Sequence, residues 1–140
     1  MITGIEIGKV EAVRNAPDAV TNMKFNINFD AVKVSHDIVN VEFTFTTTYE
    51  GSSQKAKADV VGELKIVGNI VTKETKKDAE EIENRWKDKK TLPLGLAEDI
   101  INILNFECGA RGTLVAYSMG FVAPLPISRA RLQESNEEGK

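Results

Sequence analysis

Histidine and cysteine are almost missing from this chain: His36 and Cys108 are the only ones in 140 residues. A lone cysteine cannot close an intrachain disulfide or build a thiolate metal cluster, and a lone histidine leaves no second imidazole for a metal site. No metal or other cofactor is expected. Aromatics are sparse at 6%, and the net charge is −3 with a pI near 5.3, so there is no basic footprint for nucleic acid or an anionic membrane surface. The lysines stand among acids, as in KETKKDAEEIENRWKDKK, which is the composition of a solvated face. The longest uncharged run, 112–128, is broken by Gly120, Pro124 and Pro126 and is short for membrane insertion. The opening MITGIEIGKVEAV lacks the pattern of a secretory leader, so the cytoplasm is the expected location.

What is present has the size of one domain, expected over 1–132, with a polar tail at 133–140. Ile2, Ile5, Ile7 and Val10, with polar residues between them, predict a first strand that ends at the turn Asn15-Ala16-Pro17-Asp18. Phe25, Ile27 and Phe29 alternate with Lys24, Asn26, Asn28 and Asp30, the cleanest two-residue period in the chain. At Ala31-Val32 the apolar set slips by one residue, which predicts a bulge. A turn at Ser35-His36-Asp37 leads to a third strand with Val39, Val41, Phe43, Phe45, Thr47 and Tyr49 on one face. A fourth runs through Ala58, Val60, Gly62, Leu64 and Ile66. The expected class is α+β: a four-stranded antiparallel meander, one face wet and one covered by helices.

Thr75 and Asp78 form a capping-box pattern, and Ala79, Ile82 and Trp86 draw a narrow apolar stripe through a charged helix. Pro93 then opens a long helix over 92–121. That helix is apolar over more of its circumference than one sheet can cover. Its remaining strip carries Gly109, Gly112 and Ala116, small residues at three- and four-residue spacing. Glycine inside a helix costs about 1 kcal/mol relative to alanine, so the strip needs a packing reason. A close crossing over the chain's own sheet is one reason, and contact with a second copy is the other.

Three stretches together carry a resemblance. They are Phe25-Asn26-Ile27-Asn28-Phe29-Asp30, Val61-Gly62-Glu63-Leu64-Lys65-Ile66-Val67-Gly68, and Asn102-Ile103-Leu104 followed by Phe121 and Pro124-Leu125-Pro126. In order and spacing over 5–128 the chain resembles the SecB family of export chaperones and the SecB-like proteins. The resemblance implies a four-stranded antiparallel sheet with helices on one face, a dimer built sheet to sheet, and a dimer of dimers held by helix contacts. It also implies ATP-independent holding of unfolded polypeptide clients in apolar grooves between sheet and helix. On that pattern Phe25, Ile27 and Phe29 line the groove and Phe106 and Phe121 close it, unless all five are plain core. By position, Asp59 or Glu63 stands where the family carries acidic docking residues. The final helix, however, is reduced to 127–132 and the charged helix is longer than the family's connection, which speaks against a SecA-type motor as partner.

No catalytic constellation emerges from the residues. Cys108 falls mid-helix among Leu104 and Ala110, as a buried small hydrophobe does, and His36 is a turn residue. Gly109, Gly112 and Gly120 lie in or after a helix and not in a loop that opens one, so they form no phosphate cradle. A non-enzymatic binder is the expected class. It is either a holdase for many non-native chains or a module on the same scaffold dedicated to one protein partner or apolar ligand.

Overall fold

A computed structural model of the chain describes residues 1–17, 19–52, 58–121 and 124. Within them run β1 (Ile2–Arg14), β2 (Asn22–Ser35), β3 (Ile38–Ser52), β4 (Ala58–Lys73), α1 (Lys76–Lys89) and α2 (Leu94–Ser118). The strands form one antiparallel sheet in the order β1-β4-β3-β2. The expected sheet and helix class is therefore present, but the order of neighbours differs from a plain meander. Only β2, β3 and β4 follow one another; β1 lies beside β4, which makes a Greek key. The reason is visible in the connection after β1. Asn15 and Ala16 donate their backbone N–H groups to the Val61 carbonyl at 2.6 and 3.3 Å, and Thr21 donates to the Glu50 carbonyl at 2.8 Å. The chain thus crosses the end of the sheet bonded to β4 and then β3 as it passes, and enters β2 on the far edge.

Alternation sets one face of the sheet against the helices. The rows Val10–Ile66–Phe45–Ile27 and Ala12–Leu64–Thr47–Phe25 run across all the strands. The predicted bulge lies between Phe29 and Ala31. β1 carries register shifts of its own between Ile2 and Gly4 and between Ile7 and Lys9, which explains the uneven spacing of its isoleucines.

Thr75 caps α1 by accepting from the Asp78 N–H at 3.1 Å, and Lys90 closes it in the left-handed region at φ 55°. Ala79 and Ile82 are buried on this helix, which packs against β2. The long helix is shorter than its apolar pattern. It stops at Ser118 because Gly120, at φ +78°, takes the left-handed position and Phe121 N–H donates back to the Ala116 carbonyl at 2.8 Å. That bond and the one from Gly120 N–H to the Tyr117 carbonyl together make a Schellman stop. The expected segment 127–132 and tail 133–140 lie outside the described residues.

Candidate binding site along the long helix

α2 crosses β1 and β4 and buries Ala97, Ile100, Leu104, Cys108, Gly109, Gly112 and Ala116. All three residues of the small-residue strip, Gly109, Gly112 and Ala116, are buried. A Cβ on Gly112 would stand 2.9 Å from Leu64 Cδ2 and 3.2 Å from Pro124 Cγ. At Gly112 the close approach is made to the chain's own sheet, and Ala116 joins the buried cluster of Tyr49, Val61 and Leu64.

The end of α2 is fastened by a cluster with no warning in the helical pattern. Phe121, 3% exposed, stacks on Tyr49 with ring centroids 4.1 Å apart. The tip of its ring reaches Gly62, where any Cβ would collide with Cζ and Cε2. Arg14 closes the stack from β1: its guanidinium carbon stands 5.0 Å from the Phe121 ring centroid. The same guanidinium donates from Nη1 to the Met119 carbonyl at 2.9 Å and from Nε to the Ala16 carbonyl at 3.0 Å. A cation on the last carbonyls of a helix is also the favourable sign for the helix dipole. Burial pushes the Tyr49 hydroxyl up to about 12.

Beside the other half of α2 the packing opens into two clefts. One, of about 220 Å³, lies on the β2 side and is lined by Phe25, Asn26, Ile27, Ile101 and Asn105. It carries no charged side chain. The other, of about 630 Å³, lies at the start of β1 and is lined by Met1, Ile2, Asp99, Asn102, Ile103, Phe106 and Glu107. Its floor is apolar and its rim acidic, with Glu107 paired to Arg111 at 3.2 Å. Facing away from the sheet, α2 shows Phe106, Leu114 and Tyr117, exposed at 67, 80 and 63%, with Ala110 between them. Large apolar side chains in a row on a surface mark a contact face more often than chance exposure.

The residues singled out from the sequence thus divide among three places. Phe25 and Ile27 meet in the neutral cleft, and Phe29, half-buried on the same strand face, packs on the core. Phe106 belongs to the acidic-rimmed cleft on the opposite flank, and Phe121 to the buried stack. Only the backbone of Asp59 is described, paired with Gly51; Glu63 stands on the outer sheet face between Val13 and Thr48. That face mixes signs, with Lys9–Glu11, Lys24–Glu50 and Lys33–Glu42 pairs at 3.6, 3.3 and 3.2 Å. Ile101 and Asn105, the Met1–Ile2 end of β1, and the Arg14 cluster do not stand out in the sequence as site residues. Arg14 had one signal: it occupies the helix-facing parity of β1 after Val10 and Ala12.

Cys108 is fully buried, and burial pushes its thiol up to about 12, the state of an inert core cysteine. His36 is exposed in the β2–β3 turn with φ 58°. Among the described residues no group of acidic, histidine and cysteine side chains is placed to hold a metal ion, and no helix is long and apolar enough to cross a membrane.

This architecture, one Greek-key sheet with a long helix across one face, is the fold of the SecB-like chaperones. Among solved structures it is similar to the Mycobacterium tuberculosis SecB-like chaperone Rv1957, solved in complex with a ChAD peptide from the Rv1956 HigA1 antitoxin. The likeness has a TM-score of 0.52 at 12% identity and covers 97% of this chain and 91% of that one. No protein-family model matches the chain, and no curated protein matches it.

Proposed function

We propose that this protein is an ATP-independent holdase that binds non-native polypeptide in the clefts flanking α2. The observation that carries the reading is the pair of apolar clefts on a SecB-like fold, opened by Phe25 and Ile27 on one flank and by Ile103 and Phe106 on the other. Apolar walls with few polar groups give affinity without sequence-specific readout, which is what a binder of unfolded chains requires. The similar chaperone Rv1957 was solved with a peptide bound, which supports a polypeptide as the ligand class. Binding and release need no chemistry at the site, so the protein is a non-enzymatic binder acting in the cytoplasm. Docking to a SecA-type motor is not part of this reading, because the outer sheet face carries paired charges of both signs.

A second copy belongs to the reading. Leu114 and Tyr117 stand exposed on the outward face of α2, C-terminal to the residues that line both clefts. An antiparallel pair of α2 helices crossing there sets Leu114 against Tyr117 of the other copy, an isologous contact that leaves Ile103 and Phe106 to the cleft. Molar mass in solution tests this. A dimer or dimer of dimers that Leu114→Asp reduces to monomer is expected, and a monomeric parent protein sinks it.

Holdase action is tested by aggregation of a chemically unfolded protein at equimolar ratio. Suppression without nucleotide is expected; unchanged light scattering, with this protein folded, removes the reading. A dedicated binder is the alternative, favoured by the single antitoxin peptide held by Rv1957. A panel of unrelated unfolded peptides separates the two, since a holdase binds many of them and a dedicated module binds one.

A further inference from the structure

Past the Schellman stop the chain doubles back along α2. Phe121 N–H is bonded to the Ala116 carbonyl, and Pro124, buried, has its Cγ 3.2 Å from where a Cβ on Gly112 would stand. From one to the other the chain has retreated by about one helical turn, toward the half of α2 that opens into the two clefts. The sequence beyond Pro124 has a period of its own. Leu125, Ile127, Arg129 and Arg131 stand at every second position, two apolar and then two cationic, with no acid before Glu134. Pro126 disfavours helix at Leu125, which suits an extended reading of that period. The two clefts differ in charge. The one on the β2 side has no charged side chain, whereas the one at the start of β1 has Asp99 and Glu107 above Ile103 and Phe106. Glu107 is already paired with Arg111 at 3.2 Å, and among the described residues Asp99 has no ion pair.

We infer that the acidic-rimmed cleft has an occupant within this chain: residues 125–132, which lie outside the described residues, dock there with Leu125 and Ile127 toward Phe106 and Ile103 and with Arg129 and Arg131 toward Asp99. The lengths agree. Asp99 precedes Gly112 by about 20 Å along α2. In extended chain Arg129 and Arg131 stand about 17 and 23 Å beyond Pro124, on either side of that level. Charge selects the flank, since only the acidic rim offers the guanidinium groups a partner. Ion pairs at a surface are individually weak, so the segment is held reversibly and its tether supplies the local concentration. One consequence rests on the polypeptide-binding reading. A client enters this cleft only by displacing the segment, while the neutral cleft stays open to it.

The test compares the full chain with its Arg129→Glu/Arg131→Glu variant by methyl NMR. Ile2 and Ile103 report on the acidic-rimmed cleft, and Ile27 and Ile101 report on the neutral one. The variant is expected to move the Ile2 and Ile103 resonances and to leave those of Ile27 and Ile101 in place. A synthetic peptide of residues 125–132 is expected to bind the variant at least about threefold more tightly than the parent, whose cleft is already filled. Unmoved resonances, movement at Ile27 and Ile101 instead, or a peptide that binds neither chain overturns the inference. Parent resonances at Ile2 and Ile103 that change on dilution assign the segment to the cleft of a second copy and also overturn it. An unrelated unfolded peptide then tests the consequence, and at least about threefold tighter binding to the variant is expected. Equal binding to both chains at Ile2 and Ile103 overturns the competition between segment and client. If no unfolded peptide binds either chain while the Ile2 and Ile103 resonances move as expected, the docked segment stands and the polypeptide-binding reading falls.

Discussion

The two halves of α2 solve the same packing problem in opposite ways. Its C-terminal half meets the sheet through Gly112 and Ala116 and is pinned by the Arg14–Phe121–Tyr49 stack over Gly62. Its N-terminal half meets the sheet through Ile100 and Leu104, fully buried and much larger. Small side chains let a helix sink; large ones hold it off. Space remains along the flanks of the N-terminal half, where every α2 residue lining the two clefts falls between Asp99 and Glu107. Room for a client and rigidity of the scaffold are thus written on different turns of one helix.

The comparison breaks most readily at the pinned end. Phe121→Ala empties the stack on Tyr49 and is expected to cost about 3–5 kcal/mol of unfolding free energy by urea titration. A loss under about 1 kcal/mol would mean that the stack does not fasten the helix. Arg14→Ala, which removes charged hydrogen bonds to the Met119 and Ala16 carbonyls, is expected to cost about 1.5–3 kcal/mol. Gly112→Val, forced against Leu64 and Pro124, is expected to cost about 1–3 kcal/mol, and an unaffected variant would refute the close approach. At the open end the outcome reverses. Phe106→Ser should leave stability within about 0.5 kcal/mol of the parent and weaken peptide binding, because the ring is largely in solvent. Destabilisation as large as that of Phe121→Ala would erase the distinction between the halves.

The smallest effect concerns acid. Glu50, next to Tyr49, has its carboxyl held below the ordinary value of 4.5, chiefly by the Asn22 amide at 2.9 Å and then by Lys24. A depressed carboxylate contributes stability that is present above the unfolded value and is lost as pH falls through the folded one. Glu50→Gln should therefore be less stable than the parent at pH 7, and the gap should close as pH drops below 4.5. A gap that stays constant in urea titrations at successive pH values would show that the charge is not what matters.

Much of this is legible in the residues alone. Phe25, Ile27 and Phe29 announced a strand, Ala31 its bulge, and Thr75 with Asp78 a helix start, because each is a local rule of period or capping. Strand neighbours were not legible. Alternation says which face a residue takes and nothing about who stands beside it, so it fits β1 beside β2 as well as β1 beside β4. The glycine strip was readable as a demand for close contact, but a sister chain and the chain's own β4 satisfy that demand equally well on paper. Phe121 could not be placed by a helical wheel because it follows the Schellman stop, where the wheel no longer applies. Arg14 is far from α2 in sequence, and only the Greek-key crossing brings the two together.

The pairing of the first strand with the last also fixes an order of assembly. Ile2 stands opposite Thr72 and Arg14 opposite Gly62, so β1 emerges early in synthesis and has no partner until β4 exists. Closing that long loop is slow compared with zipping the β2–β3–β4 hairpins. We expect β1 to dock last, so that Ile5→Ala speeds unfolding and leaves the folding rate unchanged in stopped-flow experiments; slowed folding would place β1 in the nucleus. Until β1 docks, the edge of β4 is open. A protein proposed to shelter unpaired chains begins its own existence as one of them.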